Sequence, residues 1–190
     1  MEKDITLTPL GVPYLYDASA LYLTAFPEAE RREVDEWLRL PAAKPLFHPC
    51  ALTAGGRFAG ILTSWHFPAR DGRHGEAPAP AFRYIEHFAT LPQLRGKGLG
   101  SAALAAYREA AAGVPVVVEV ELPEDETSRR RVDFYRRNGF ALLSRPYTQP
   151  PYRPGGESLP LAIMSTDPTF AETHYAHIVS TLRREVYGAE

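Results

Sequence analysis

A glycine-rich loop in front of an alanine-rich helix constrains the fold of this chain more than any other segment. Residues 93–100 read QLRGKGLG, after a predicted strand at 83–90 and before a predicted helix at 101–112. Glycine lets the backbone turn sharply and approach a ligand. The first N–H groups of a helix have no intrahelical acceptor and favour an anion. We therefore predict a phosphate-binding loop, to which Arg95 and Lys97 add positive charge.

The rest of the chain alternates strands and helices. The patterns predict strands at 5–10, 47–54, 57–67, 83–90, 114–121, 140–144 and 159–165, and helices at 14–26, 28–40, 101–112, 127–138 and 168–187. Gly55-Gly56 predicts a tight hairpin, 68–81 a long mobile loop, and 145–158 a second loop. Without an internal linker, the 190 residues predict one α/β domain over 1–190, with a mixed sheet flanked by helices.

Composition excludes several classes of partner. The net charge of -2 gives no basic excess, so we expect no nucleic-acid partner. No apolar run approaches the roughly 20 residues that span a bilayer, so we expect no membrane partner. The first ten residues contain acids and no apolar core of a signal peptide. A single cysteine, Cys50, allows no internal disulfide, and a cytoplasmic location is predicted.

Two other kinds of nucleotide-binding loop differ from this pattern. A Walker loop requires Gly-Lys followed by Ser or Thr, which is absent. A dinucleotide-binding fold would use an acid about 20 residues after the loop, where Glu119 and Glu121 lie. Its glycine spacing is Gly-x-Gly-x-x-Gly, however, and the chain after the loop is too short for the second half of that fold. A dinucleotide-dependent oxidoreductase is therefore the least favoured alternative.

Three segments in order resemble the GNAT acetyltransferase superfamily. QLRGKG at 93–98 looks like its Gln/Arg-x-x-Gly-x-Gly/Ala acyl-CoA motif. IEHFAT at 85–90 resembles its fourth strand, and FYRRNGF at 134–140 resembles its later helix-to-strand segment. The resemblance covers about residues 5–165. It implies a splayed sheet and an N-acetyltransferase that transfers an acetyl group from acetyl-CoA, as co-substrate, to a primary amine by direct attack.

The resemblance also implies where acetyl-CoA binds. In that family the pantetheine arm follows the backbone of the fourth strand, and the pyrophosphate meets the amides of the loop. Ser128 stands where the family often has asparagine, so that contact departs from the family pattern. The implied cofactor-binding residues are Phe88, Ala89, Thr90, Leu94, Arg95, Gly96, Lys97, Gly98, Leu99, Gly100, Ser101, Ser128 and Phe134.

The chemistry requires a proton acceptor for the amine and a donor for the leaving thiolate. A primary amine with a pKa of about 10.4 is mostly protonated at neutral pH, so a general base helps. Tyr135 matches the family tyrosine and is predicted as the acid, since a phenol stays protonated at pH 7. Glu86 is predicted as the base, because aromatic neighbours on its strand face would raise its pKa. Glu119, Glu121, His87 and ordered water stay as alternatives.

Partners and alternative functions follow from the same residues. A non-catalytic acyl-CoA sensor would need the loop but neither Tyr135 nor Glu86. His174 and His177 are three residues apart without a third ligand, so no metal site is predicted. The expected partner is a small-molecule or peptide amine, walled by the loops at 68–81 and 147–152, and a homodimer is left open.

Overall fold

The chain forms two compact units, each built from strands and helices. The computed structural model describes residues 5–72 and 78–189. The first unit contains the chain up to His66 together with Tyr84–Gly113. The second contains Phe67–Arg83 and Val114–Glu190.

Four strands lie wholly or mostly in the first unit. They are β1 (Ile5–Pro9), β2 (Phe47–Ala54), β3 (Arg57–Phe67) and β4 (Phe82–Thr90), in the order β1-β2-β3-β4. β2 is antiparallel to both β1 and β3. Gly55 and Gly56 have φ angles of 56° and 75°, the left-handed conformation that a two-residue hairpin requires. The predicted hairpin and its boundaries are confirmed.

The helices of the first unit are α1 (Leu15–Ala25), α2 (Val34–Ala43) and α3 (Leu99–Ala110). The predicted helix at 28–40 is wrong at both ends. Residues Glu28–Glu30 form only a 3₁₀ turn, and α2 continues through Pro41. Arg31 is extended, with φ of -148°, so the two segments cannot join as one helix. Pro41 is tolerated because it lies in the last turn, where the Lys44 N–H still bonds to the Leu40 carbonyl at 2.8 Å.

The second unit contains four strands, whose pairings with one another are antiparallel. They are β5 (Val116–Glu121), β6 (Ala141–Leu142), β7 (Tyr147–Gln149) and β8 (Leu159–Ser165). β8 pairs with each of the other three. β7 lies inside the predicted loop at 145–158, so that part of the loop prediction is wrong. Tyr147 and Gln149 are buried on either side of exposed Thr148, which is the alternation of a short strand.

The helices of the second unit are α4 (Glu126–Arg137), which packs on β5 and β6, and the C-terminal α5 (Pro168–Thr173) and α6 (Tyr175–Thr181). Asp167 caps α5 as predicted, accepting from the Phe170 N–H at 2.9 Å. The single helix predicted at 168–187 is interrupted at His174, whose ψ of 21° departs from the helical value, and ends in a π-helical turn at Leu182–Val186.

The segment between β3 and β4 contains neither helix nor strand among its described residues. Arg70 and Ala79 form an isolated antiparallel bridge, with N–H to carbonyl distances of 2.8 and 3.0 Å. Part of the loop predicted at 68–81, residues 73–77, lies outside the described residues. Over residues 5–72 and 78–189, no helix is long and apolar enough to cross a membrane.

Candidate active site

The glycine-rich loop leads from β4 into the N-terminus of α3, as the sequence predicted. A 3₁₀ turn covers Pro92–Leu94, and Gly98 is the N-cap of α3. Gly96 and Gly98 have φ angles of 73° and 76°, which favour glycine. Within the described part of the chain, the backbone N–H groups from Gly96 through Ser101 have no acceptor. A run of consecutive amides is therefore available to an anion beside the positive end of a helix.

The cradle of amides is shorter than predicted. The Leu94 N–H donates to the Leu91 carbonyl at 2.9 Å, and the Arg95 N–H donates to the Pro92 carbonyl at 3.2 Å. The 3₁₀ turn therefore uses these two amides, and the prediction that they face the pyrophosphate is wrong. The side chains of Arg95 and Lys97 are exposed and can still reach a phosphate.

The end of β4 directs alternate backbone groups away from β3. The Leu91 N–H bonds to the Ala59 carbonyl on β3 at 2.9 Å. A Cβ placed on Gly60 would lie 2.3 Å from the Ala89 carbonyl oxygen, so this oxygen also faces β3 and Gly60 cannot be replaced without movement. By the alternation of a strand, the backbone groups of Phe88 and Thr90 point to the other side. The backbone of Ala89 is predicted to bind the cofactor, but its carbonyl oxygen instead faces the neighbouring strand of the sheet.

Glu86 is part of a buried ion pair. Its side chain has no exposed surface, and that of Arg32 is 4% exposed. Arg32 Nη1 donates to Glu86 Oε1, and Trp65 Nε1 donates to Glu86 Oε2 at 2.8 Å. The Arg32 guanidinium also lies 5.9 Å from the centre of the Trp65 ring. Both carboxylate oxygens are therefore occupied by donors from the protein.

The expected rise in the pKa of Glu86 is wrong. Burial alone would raise it, but the charge of Arg32, the neighbouring His87, and the hydrogen bonds from Arg32 and Trp65 outweigh burial. The net result is a pKa below its ordinary value. A carboxylate held ionised by a guanidinium is a poor proton acceptor, so Glu86 lacks the raised pKa that would suit a general base.

His87 is buried beside Glu86, although regular alternation predicts opposite faces for the two side chains. His87 Nδ1 lies 4.0 Å from Glu86 Oε2, and Nε2 donates to the Glu30 carbonyl at 3.0 Å. The His87 N–H bonds to Thr63 Oγ1 at 3.2 Å. β4 is thus irregular at these two residues. Burial, with a smaller effect of Arg32, lowers the pKa of His87.

These two pKa shifts predict that acidification weakens the fold. The unfolded chain protonates His87 below about pH 6.5 and Glu86 below about pH 4.3, whereas the folded chain resists both because both pKa values are lowered. Stability is therefore present at neutral pH and is lost as pH falls, by at most about 1.4 kcal/mol per pH unit for each group. Urea unfolding at pH 7, 6 and 5 should show a shallower loss for His87→Gln than for wild type.

The control for the urea experiment is a histidine at the surface. His48→Gln alters an exposed histidine and should keep the wild-type slope of unfolding free energy against pH. An unchanged slope in His87→Gln would show that His87 is not the group that titrates.

Tyr135 lies on α4, in the second unit, among aromatic rings. It is 8% exposed, and Phe134 and Phe140 contact it edge-on at ring-centre distances of 5.4 and 5.3 Å. Burial raises the pKa of Tyr135 to about 12, against a smaller opposing effect of Arg131. The phenol therefore remains a proton donor throughout the neutral range, which the predicted role as acid requires. Phe134, predicted to contact the cofactor, is half-buried.

Ser128 has a structural partner in the same unit. Its Oγ accepts from the Asp125 N–H at 3.1 Å and donates to the Asp125 carbonyl at 3.1 Å, while its own N–H bonds to Asp125 Oδ1 at 2.8 Å. This reciprocal arrangement is a capping box at the start of α4. Ser128 is only 2% exposed. The helix cap therefore accounts for a serine at the position where the family often has asparagine.

The carboxylates of β5 have different surroundings. Arg131 Nη1 donates to Glu121 near the surface. Glu119 is half-buried and accepts from Tyr147, from Gln149 Nε2 at 2.9 Å and from Tyr187 at 2.6 Å. Burial, and then the charge of Glu119, raises the pKa of Tyr147.

Sequence reasoning missed the partners of Glu86 and of Glu119. Arg32 lies in a charged run that resembles an exposed helix, and nothing local marks it as buried. For Tyr147 and Gln149 the sequence contains one indication of a buried face, the alternation of a strand between prolines. For Tyr187, which is distant in sequence, it contains none. In residues 5–72 and 78–189, no group of three or more His, Cys, Asp or Glu side chains could hold a metal ion.

Comparisons with known proteins agree with the loop and the order of elements. Residues 13–140 match the profile of the acetyltransferase (GNAT) family. A Bacteroides thetaiotaomicron protein assigned to the GNAT family is 32% identical, with a TM-score of 0.86 over 97% of this chain and 99% of that one. A search of curated protein sequences found no match.

More distant solved structures share the fold. Arabidopsis thaliana Naa50, in complex with the bisubstrate analogue CoA-Ac-MVNAL, is 16% identical, with a TM-score of 0.60 over 85% of this chain and 97% of Naa50. The ribosomal-protein-S18-alanine N-acetyltransferase of Escherichia coli is 18% identical, with a TM-score of 0.56 over 85% of this chain and 92% of that one. The predicted α/β fold class is confirmed, as is the prediction of an acyltransferase. With its family profile matched over 13–140 and a relative at 32% identity, the chain belongs to the GNAT acetyltransferase family.

Proposed function

We propose that this enzyme transfers the acetyl group of acetyl-CoA to a primary amine by direct attack. The proposal depends on one observation: the consecutive amides from Gly96 to Ser101 have no acceptor in the described chain. They lie at the positive end of α3, where a diphosphate is stabilised by both the N–H groups and the helix dipole. Exposed Arg95 and Lys97 add charge-assisted contacts. The family match covers residues 13–140, which include parts of both compact units.

In this proposal the reactive end of the co-substrate lies along the backbone of β4. Phe88 and Thr90 point their N–H and carbonyl groups away from β3, so they can bond an extended pantetheine arm. When bound, acetyl-CoA supplies an activated acyl group with a thiolate as leaving group. In this proposal Tyr135 donates a proton to that thiolate, since its pKa of about 12 keeps the phenol protonated.

The acceptor amine must lose a proton before it attacks. Glu86 is excluded from this role in our proposal, because Arg32 and Trp65 occupy its oxygens. Glu119 is the better candidate. It is partly accessible, and Tyr147, Tyr187 and Gln149 donate hydrogen bonds to it, which can rearrange more readily than a buried ion pair.

The proposal is tested by binding and turnover on the wild-type protein. Calorimetry with acetyl-CoA should show one site, and release of the CoA thiol should rise when an amine is added. The amines to compare are the peptide MVNAL with a free amino terminus, spermidine and lysine, because the distant neighbours are named for peptide acceptors. No uptake of any coenzyme A species would overturn the proposal. Binding without amine-dependent thiol release would overturn its catalytic part.

Glu119→Gln tests the assigned base. We expect kcat/KM to fall about tenfold, an increase of about 1.4 kcal/mol in the barrier, because water can replace the carboxylate only partly. The loss should be greatest at low pH, where more of the amine is protonated, while acetyl-CoA affinity stays unchanged. The matched control is Glu121→Gln, which alters the same side-chain type two residues away on β5. Equal effects of the two variants would remove Glu119 from the mechanism.

A further inference from the structure

The segment between α1 and α2 has little structure of its own. A 3₁₀ turn at Glu28–Glu30 includes a backbone bond from the Glu30 N–H to the Pro27 carbonyl at 3.0 Å. Arg31 Nε donates to the Phe26 carbonyl at 3.2 Å. A single 3₁₀ turn is too short to be stable by itself. Contacts with other elements must fix its position.

Two consecutive residues of β4 supply those contacts. His87 Nε2 donates to the Glu30 carbonyl at 3.0 Å, and Glu86 accepts from the Arg32 guanidinium. The Arg32 N–H also donates to the Tyr22 hydroxyl at 3.0 Å. The ring of His87 packs edge-on against those of Tyr22 and Phe26, at 5.0 and 4.6 Å between centres. The segment is therefore attached to β4 at two points, both nearly free of solvent.

The attachment lies on the reactive side of the proposed cofactor path, and this step rests on the proposed function. The pyrophosphate binds at 96–101, and the pantetheine arm runs back along β4 past Thr90 and Phe88. Glu86 and His87 are the next residues in that direction, at about 3.3 Å per residue. The acetyl end of the co-substrate is therefore nearer to them than to the loop, and the acceptor amine must approach at that end.

A buried ion pair is not needed simply to attach the segment to β4. Moving both charges from water costs so much that apolar residues of similar size often give equal or better stability. Directed hydrogen bonds fix the orientation of the attached segment, whereas apolar contact is non-directional. The Arg32–Glu86 pair has this directed character, with Trp65 Nε1 bonded to the second carboxylate oxygen.

We propose that Arg32, Glu86 and His87 are positioning residues that hold segment 27–33 against β4 as the acceptor-side wall of the acetyltransferase site. Glu86 in this assignment never receives the proton of the amine. It acts through Arg32, and His87 acts through the Glu30 carbonyl.

The test is the double variant Arg32→Met with Glu86→Met, which removes both charges and keeps side-chain volume. We expect the thermal midpoint and the Kd for acetyl-CoA to stay near wild type. We expect KM for the fastest amine among MVNAL peptide, spermidine and lysine to rise at least about tenfold, a loss of about 1.4 kcal/mol. Hydrogen exchange should speed up in 27–33 and stay unchanged in 88–90.

Controls separate the possible outcomes. Asp35→Asn with Arg39→Gln removes an exposed pair on α2 and should change no constant. Arg32→Lys keeps the charge and should restore part of the amine KM. An amine KM in the double variant equal to that of wild type would overturn the proposal. Unchanged hydrogen exchange in 27–33 would also overturn it, and that measurement needs no acceptor. Failure of wild type to bind acetyl-CoA would instead overturn the proposed function.

Discussion

Replacing Gly98 by valine is expected to weaken acetyl-CoA binding about 100-fold. Gly98 has φ of 76° and begins α3, and a β-branched residue is strongly disfavoured in that conformation. Relaxing the strain would rotate the N–H groups of the following residues away from a common centre. A rise in Kd of about 100-fold equals about 2.7 kcal/mol, the scale of one or two hydrogen bonds to a charged group. Calorimetry with acetyl-CoA measures it directly.

The control for Gly98→Val lies at the other end of the same helix. Gly113 follows α3, has φ of 84°, and has no atom within 4 Å of a Cβ placed on it. Gly113→Val therefore carries similar backbone strain and a similar loss of stability, without touching the loop. It should bind acetyl-CoA as wild type does. Wild-type affinity in Gly98→Val, or equal loss in both variants, would contradict the role of the loop.

Features set by neighbouring residues were predictable from the sequence. Gly55-Gly56 specifies its hairpin because only glycine readily adopts two left-handed conformations in succession. Asp167 caps α5 by a bond to an amide three residues away. The loop at 93–100 belongs to the same class, since glycine spacing and an alanine-rich helix make its geometry local. Such features need no knowledge of the rest of the fold.

The surroundings of Glu86 were not predictable, because its partners are distant in sequence. The aromatic residues beside it on β4 suggested a raised pKa. The deciding neighbour is Arg32, 54 residues earlier, in a segment whose charge pattern predicted an exposed helix. The buried Arg32 guanidinium, together with His87 and Trp65, reverses the direction of the pKa shift that burial alone would give. Tyr187, which reaches Glu119 from 68 residues away, was missed for the same reason.

Tyr135→Phe is expected to lower kcat about 100-fold, the lower end of what a general acid contributes, while leaving the Kd for acetyl-CoA unchanged. The variant removes one hydroxyl and keeps the ring that packs against Phe134 and Phe140, so the fold should persist. Because the pKa of Tyr135 is about 12, kcat of wild type should show no loss from its ionisation up to about pH 10. Single-turnover release of the CoA thiol isolates this step from product release.

Tyr107→Phe is the matched control for that experiment, since it removes the hydroxyl of another buried tyrosine, which lies on α3 and contacts His66 at 3.3 Å. It should leave the single-turnover rate within about twofold of wild type, as a substitution outside the chemistry does. A Tyr135→Phe rate equal to that of Tyr107→Phe would mean that the thiolate leaves without a proton from Tyr135. A fall in acetyl-CoA affinity without a fall in kcat would make Tyr135 a binding residue, because uniform binding changes affinity and leaves kcat unaltered.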